Sequence, residues 1–329
     1  MHSPTPVVSV ILCTHNPHPA QLDWALAALD SQTLPKDRYE VIVVDNRSQV
    51  PLVEREIRGI RGFNLRLISE SRLGLTHARC KGIRAAKASL LVFVDDDNFL
   101  FPDYLEQALQ IADREPEIGH FGGSAAALYE KPVAPYLAAF LPTLGIRDYG
   151  QDAITSRESR WGHWEPIGAG MVCRRGIAEA FVCQVEANEL ADQLGRKGRR
   201  LTSGEDSLFA RITVNAGFAC SYQPALRLFH LIRSDRLRPF YLARMQYWQG
   251  RAHVILEVLS GRPPQREAFW KRLRTLWKNS TYRFQQDEFR IALIAAFWHV
   301  GCYLETNAQT SEAVTITPQA AEQVRRPGQ

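Results

Sequence analysis

The run from Val7 to Cys13 is almost wholly apolar and β-branched and stops at Thr14-His15-Asn16-Pro17. That is the pattern of a strand buried on both faces that empties into a loop. Residues 20–33 then carry Leu22, Ala25, Leu26 and Leu29 at helical spacing, and a second run, Tyr39 to Val44, ends at Asp45-Asn46-Arg47-Ser48. A third apolar patch, Leu65 to Ile68, follows a charged segment. Residues 76–88 put Ala78, Gly82, Ile83 and Ala86 on one helical face and lead into a strand from Leu90 to Val94, which stops at Asp95-Asp96-Asp97. Strand, helix, strand is the repeating unit, and it predicts an α/β domain: a mostly parallel sheet flanked by helices, joined by right-handed crossovers. Open sheets of this kind bind ligands beyond the carboxyl ends of their strands. Three polar clusters, Thr14–Asn16, Asp45–Ser48 and Asp95–Asp97, follow such ends, so chain order alone predicts that they share one rim.

From about 103 to 235 the pattern is less regular. It predicts a helix at 103–114, an apolar stretch at 118–128 and a polar, Trp-containing segment around 147–164. The run Gly168-Ala169-Gly170-Met171-Val172-Cys173 follows, then a helix near 176–182, a basic loop at 195–200, and Gly204-Glu205-Asp206 opening a helix to about 216. After 236 the chain reads as long amphipathic helices rich in Arg and Trp. Within 268–278, Phe269, Leu273, Leu276 and Trp277 share one face, and Lys271, Arg272, Arg274 and Lys278 lie opposite. The expected organisation is one domain over 1–235, a helical extension over 236–306 and a polar, flexible tail over 307–329.

Composition narrows the classes. With 329 residues, 45% hydrophobic and 23% charged, the chain can bury a sizeable core, which excludes a disordered tail or a disulfide-stapled miniprotein. The net charge of +5 is a weak argument for a polyanionic partner, so no nucleic acid is expected. Cysteines stand at 13, 80, 173, 183, 220 and 302 without a C-x-x-C pair and read as buried small hydrophobes in a reducing compartment. The N-terminus carries no secretory pattern. The longest apolar candidate for a span, Ile291 to Tyr303, is about half of the roughly 20 residues that a bilayer needs. A cytoplasmic protein is the expectation.

Asp95-Asp96-Asp97 is the sharpest chemical feature. Three consecutive carboxylates at a strand end repel each other unless a cation sits among them, and hard oxygen ligands suit Mg²⁺ or Mn²⁺. The plainer alternative is a solvated acidic turn capping the next helix. Asp45 is either a turn former or a carboxylate accepting hydrogen bonds from a ribose or a base, and Thr14, His15 and Asn16 stand where a nucleotide would lie. Neither G-x-G-x-x-G nor G-x-x-x-x-G-K-[ST] is present, which removes the main support for dinucleotide and P-loop readings.

Val8 to Asn16, Val41 to Ser48, Ala78-Arg79 with Gly82-Ile83, and Leu90 to Asp97 resemble the successive motifs of family 2 glycosyltransferases with the GT-A fold. Gly168 to Met171, Gly204 to Asp206 and Pro224 to His230 continue in that family's order, so the resemblance covers about residues 7–250. It implies a nucleotide-binding half over 7–100 and an acceptor half over 101–235. Thr14, His15, Asn16 and Asp45 would contact the donor nucleoside with Arg79 nearby, and Asp95-Asp96-Asp97 is similar to the D-x-D signature. Asp97 would be the direct metal ligand, helped by Asp95, with Asp96 toward the ribose or sugar. Asp206 resembles the catalytic base, with Glu205 orienting it or the acceptor. Gly168, Ala169, Gly170 and Met171 would line the acceptor pocket, and His230 stands where some relatives supply a further metal or diphosphate ligand, or serves as a structural histidine. Asn46 stands where a second Asp is frequent, His15 where Tyr is frequent and Cys80 where Asn often follows the Arg.

The implied reaction is an inverting, Mg²⁺- or Mn²⁺-dependent transfer from a UDP, GDP or dTDP sugar to a saccharide or lipid-linked saccharide, as in bacterial polysaccharide or glycolipid biosynthesis. The competing readings are a sugar-nucleotide nucleotidyltransferase and a non-catalytic nucleotide-sugar-binding relic. The basic helices after 236 are expected either to pack on the catalytic domain or to rest on the cytoplasmic face of an anionic membrane. The segment Arg233–Arg238, with Tyr241 and Tyr247, is a candidate to close over the donor phosphates.

Overall fold

The computed structural model describes residues 5–58, 62–262 and 286–309. The amphipathic pattern at 268–278 and the tail from 310 onward lie outside the described residues. Four strands, β1 (Val8–Thr14), β2 (Tyr39–Asp45), β3 (Asn64–Ser69) and β4 (Leu90–Asp95), pair in parallel in the order β3-β2-β1-β4. Side chains alternate across the sheet. Val8, Val10 and Leu12 enter one core cluster with Leu22, Leu26 and Leu29 of α1 (Pro19–Asp30) and with Leu105 and Ile111 of α4 (Tyr104–Arg114). Ile11 and Cys13 enter the opposite cluster with Ile83 of α3 (Leu75–Ala85), Phe181 of α5 (Arg175–Ala187) and Phe209 of α7 (Glu205–Asn215). Both faces of β1, β2 and β4 are covered, so these strands read as near-continuous apolar runs, whereas the edge strand β3 is only partly buried. The short helices α2 (Glu54–Arg58) and α6 (Glu189–Asp192) complete the connections.

Register makes the rim. Thr14 pairs with Asp45, Cys13 with Asp95 and Asp45 with Ser69, so the polar clusters leave the sheet side by side.

Beyond β4 the sheet becomes mixed. The three-residue β5 (Asn98–Leu100) follows the aspartates and pairs antiparallel with β9 (Ala219–Ile232). β6 (Ile118–Tyr129) pairs in parallel with β9. β8 (Val172–Arg174) runs antiparallel between β4 and β6, and β7 (Ile154–Ser156) lies antiparallel on β9. A strand beginning two residues after β4 has no length for a helical crossover, so it joins the sheet at β9 with reversed direction. The aspartates are therefore a strand-to-strand turn, and Asn98 is registered opposite His230. The β6–β9 ladder breaks register between Gly122 and Ser124. A Cβ on Gly123 would lie 1.8 Å from the Leu226 carbonyl oxygen and 2.6 Å from that of Gln223. Neither backbone atom can rotate away, so Gly123→Ala is expected to lower the unfolding free energy by about 1–3 kcal/mol, measured by denaturant titration.

The helices after the sheet pack on it. α8 (Pro239–Leu259) buries Ala252, Ile255, Leu256 and Leu259 in the cluster that holds Phe181 and Phe209. The 3₁₀ helix Pro135–Leu144, α8 and α9 (Gln286–Ala308) share a third cluster that includes Phe140, Leu242, Met245 and Ile294. α8 and α9 cross at glycines: a Cβ on Gly250 would meet the Trp298 carbonyl oxygen at 2.1 Å, and one on Gly301 the Tyr247 oxygen at 1.9 Å. No helix among the described residues is long and apolar enough to cross a membrane. Cys13, Cys80, Cys173 and Cys220 are buried free thiols, as expected, whereas Cys183 and Cys302 are half-buried.

Candidate active site

A cleft of about 800 Å³ opens beyond the ends of β1, β2 and β4 and is walled by the start of α7, the 195–203 loop and α8. Thr14, His15, Asn46 and Asp95 to Asp97 line it on the sheet side. Thr14 Oγ1 donates to Asp96 Oδ2. His15 Nδ1 lies 2.8 Å from the Asn46 carbonyl oxygen. Asn46 ties the rim together: its amide nitrogen donates to the carbonyls of Glu70 (3.3 Å) and Arg72 (2.7 Å), and its oxygen accepts from Gly74 N at 2.8 Å. An Asp there has no donor for the two carbonyls, which accounts for the amide at this position.

Two of the expected donor residues stand back from the cleft. Asp45 is buried, with Oδ1 accepting from Ser48 N and Oδ2 from Leu52 N, both at 3.0 Å. Its carboxylate is spent shaping the loop. Asn16, at φ +50°, accepts from Gln49 N at 2.7 Å and braces the same loop.

The aspartates are met by cations of the chain itself. Asp97 is buried. Its Oδ2 lies 3.0 Å from Arg236 Nη1, and its Oδ1 lies 3.5 Å from His230 Nε2 and 3.0 Å from Asn98 Nδ2. Burial works against its charge, but Arg236 and His230 outweigh it and hold the carboxyl well below the usual range. Burial and the adjacent Asp97 push Asp96 the other way, up to about 7. His230 Nδ1 is buried without a hydrogen-bond partner. Among the described residues no three carboxylate, imidazole or thiolate groups are gathered into a metal cluster. The chemistry of the donor set, two carboxylates and an imidazole at one strand-end turn, still fits a hard divalent ion, and Arg236 holds the corresponding positive charge beside Asp97.

Arg79, expected near the nucleoside, lines the cleft and also acts as a strut behind it. Its buried guanidinium bonds Glu205 Oε1 and lies 3.6 Å from Asp95 Oδ1 and 3.5 Å from the Gly168 carbonyl oxygen. Burial works against its charge, but Glu205 and Asp95 outweigh burial and hold the guanidinium above its ordinary range. Glu205 also accepts from Thr76 Oγ1 at 2.8 Å, so its oxygens are taken. Asp206 points into the cleft from the first turn of α7, where carboxylates suit the helix dipole. Its Oδ2 accepts from Gly168 N at 3.2 Å and its Oδ1 from Ser207 N at 3.0 Å.

The Gly168–Met171 loop divides. Gly168 and Ala169 line the cleft. Gly170, at φ +72°, accepts the Tyr104 hydroxyl on its carbonyl, and Met171 is wholly buried in the core. The last two therefore hold the loop in place and do not line the pocket. The pocket wall also includes Glu165, Arg196, Arg200, Ser207 and Arg236. The basic loop and the Arg233–Arg238 segment flagged two of these regions. Glu165 had no such signal, being a lone acid in a polar segment.

The strand-end acidic turn and the helix-borne carboxylate Asp206 thus line one cleft, an arrangement that suits group transfer at a polar substrate. The family model described as glycosyl transferase family 2 matches residues 9–181, and the chain belongs to that family and is a glycosyltransferase. It is 25% identical over 262 residues to glycosyltransferase AglE of Haloferax volcanii, covering 79% of this chain and 77% of that protein. It is 21% identical over 257 residues to the glucosyl-dolichyl phosphate glucuronosyltransferase of the same organism, covering 77% and 78%. Among solved structures it is similar to GalNAc-T7 with UDP, GalNAc and Mn²⁺, at a TM-score of 0.49 and 15% identity over 76% of this chain and 51% of that one.

Proposed function

We propose that the chain moves a sugar from a nucleoside diphosphate sugar to a hydroxyl of a saccharide acceptor in one displacement that inverts the anomeric carbon. The observation that carries this is Asp206, a cleft-facing carboxylate fixed at both oxygens by backbone N–H groups across from the Asp95–Asp97 turn. The attacking oxygen gives its proton to Asp206 as the new C–O bond forms, and the bond to the diphosphate breaks with its electron pair leaving on the phosphate oxygen. Thr14, His15 and Asn46 bound the donor end of the cleft, and Arg236 and Arg196 face the departing phosphates. Asp97 and Asp95, with His230, are the residues that would hold a divalent ion, which when bound would supply further electrophilic charge to the leaving diphosphate. The relative named for a glucosyl-dolichyl phosphate substrate supports an acceptor joined to a lipid through phosphate.

The test is a panel of UDP, GDP and dTDP sugars with octyl glycosides as acceptors, with the product anomer read by NMR. An inverted glycoside is expected from at least one pair. Retention of configuration, or no transfer by any pair, overturns the reading. Excess EDTA is expected to lower turnover by about 10²-fold, with recovery on adding Mn²⁺ or Mg²⁺. Full activity in the chelator removes the metal from the mechanism.

A further inference from the structure

Glu165 is a buried carboxyl on the cleft wall that the reaction above leaves unused. It lies just before Pro166 and three residues before Gly168, whose N–H holds Asp206. Its carbonyl is pinned by Arg147, whose Nη1 donates to it at 2.5 Å while Nε donates to Gly123 O at 3.2 Å. Its Oε1 accepts the hydroxyl of Ser207, the residue whose backbone N–H bonds Asp206. Glu165 has no salt bridge among the described residues. Arg211, the guanidinium of α7, is engaged with the Ser159 carbonyl and with Glu257 at 3.2 Å, and Arg147 donates from Nε and Nη1 to carbonyls while its Nη2 is buried without a hydrogen-bond partner. The second oxygen of Glu165 has no partner within the described chain.

We propose that Glu165 is a positioning residue on the acceptor side of the cleft: through Ser207 it fixes the turn carrying Asp206, and its second oxygen bonds an acceptor hydroxyl next to the one that attacks. The acceptor class that fits is a saccharide with two neighbouring free hydroxyls, one for each carboxyl. The inference rests on the transfer reaction proposed above. The groups facing Glu165 are Asp206, Ser207 and Arg211 of α7, Arg147 after the 3₁₀ helix and the neutral Cys220 thiol of β9. Burial pushes the carboxyl up to about 7, the Asp206 charge adds to this, and the Ser207 hydrogen bond opposes it. Below that pH Glu165 is protonated and donates a hydrogen bond; above it, a second negative charge stands beside Asp206.

The experiment uses the full-length enzyme and the octyl glycoside that the panel identifies as an acceptor, with its monodeoxy analogues. Glu165→Ala is expected to raise the acceptor KM about tenfold or more and leave the affinity for the nucleoside diphosphate of the donor that the panel identifies, measured by calorimetry, within twofold. Removing the hydroxyl next to the attacking one is expected to cost the wild type the same factor and to cost the variant nothing further. Ser207→Ala is expected to lower kcat with little change in acceptor KM. Glu165→Gln, which is isosteric and carries the test should the alanine variant fold poorly, is expected to keep its acidic-pH acceptor KM across pH 6–8, where the wild type shows a break near 7. An unchanged acceptor KM in Glu165→Gln and Glu165→Ala, equal weakening of nucleoside diphosphate and acceptor, or the same pH break in Glu165→Gln overturns the inference while transfer by the wild type still stands. Absence of wild-type transfer overturns the underlying reading instead.

Discussion

Asp206→Asn is expected to cut the rate of sugar transfer by about 10²–10⁴-fold, the usual worth of a positioned base. The amide keeps an oxygen for the Gly168 or Ser207 N–H, so the first turn of α7 is retained and binding of the nucleoside diphosphate that the donor panel identifies is expected to stay within a few-fold. Single-turnover transfer and calorimetry with that nucleotide on the same preparation separate the two quantities. Survival of transfer within a few-fold would take the base away from Asp206. Glu205 offers no ready substitute, since Arg79 and Thr76 already engage its carboxylate.

Arg79→Met carries the largest expected cost in stability. The guanidinium is buried between Glu205 and Asp95, and its removal leaves Glu205 as an uncompensated buried charge, a loss of about 3–5 kcal/mol. Urea unfolding of the two proteins measures it, and a loss below about 1 kcal/mol contradicts the strut. Arg79→Lys is expected to recover only part, because an ammonium is a single point charge without the planar fork that reaches several acceptors at once. The double variant Arg79→Met with Glu205→Gln is expected to be more stable than Arg79→Met alone, since no charge is then stranded beside the missing partner.

The parallel half of the fold was legible because burial on both faces leaves no choice of residue: Val8 to Cys13, Tyr39 to Val44 and Leu90 to Val94 could only be strands. Their polar ends then placed Thr14, Asp45 and Asp95 at one rim. What escaped was set by contacts distant in the chain. Three residues are too few for a periodicity, so Asn98–Leu100 and the pairing that brings His230 beside Asp97 had no local signal. Arg79 and Asp45 look alike in sequence whether they face a ligand or the interior, and their partners, Glu205 and the 48–52 backbone, are known only once the chain is folded. Gly170 and Met171 share a motif with Gly168 and Ala169, yet the chain turns inward after Ala169, with Gly170 at φ +72° against Tyr104 and Met171 in the core. Glu165 was silent for the same reason, since its partner Ser207 is 42 residues away.

The helices after the sheet bear on where this enzyme can be cut. Gln249, Ala252, His253 and Leu256 of α8, with Trp298 of α9, line the same cleft as the aspartates. The stretch that matches the family model ends at residue 181, ahead of Asp206, His230, Arg236 and both of these helices. A fragment trimmed to the matching stretch would keep Thr14, His15 and Asp95 to Asp97 but lose Asp206 and the α7 and α8 walls of the cleft, and it is expected to transfer no sugar. Because α8 lines the cleft, exchanging that helix, with the α9 turn that crosses it at Gly250 and Gly301, would reshape the cleft without touching the strand ends.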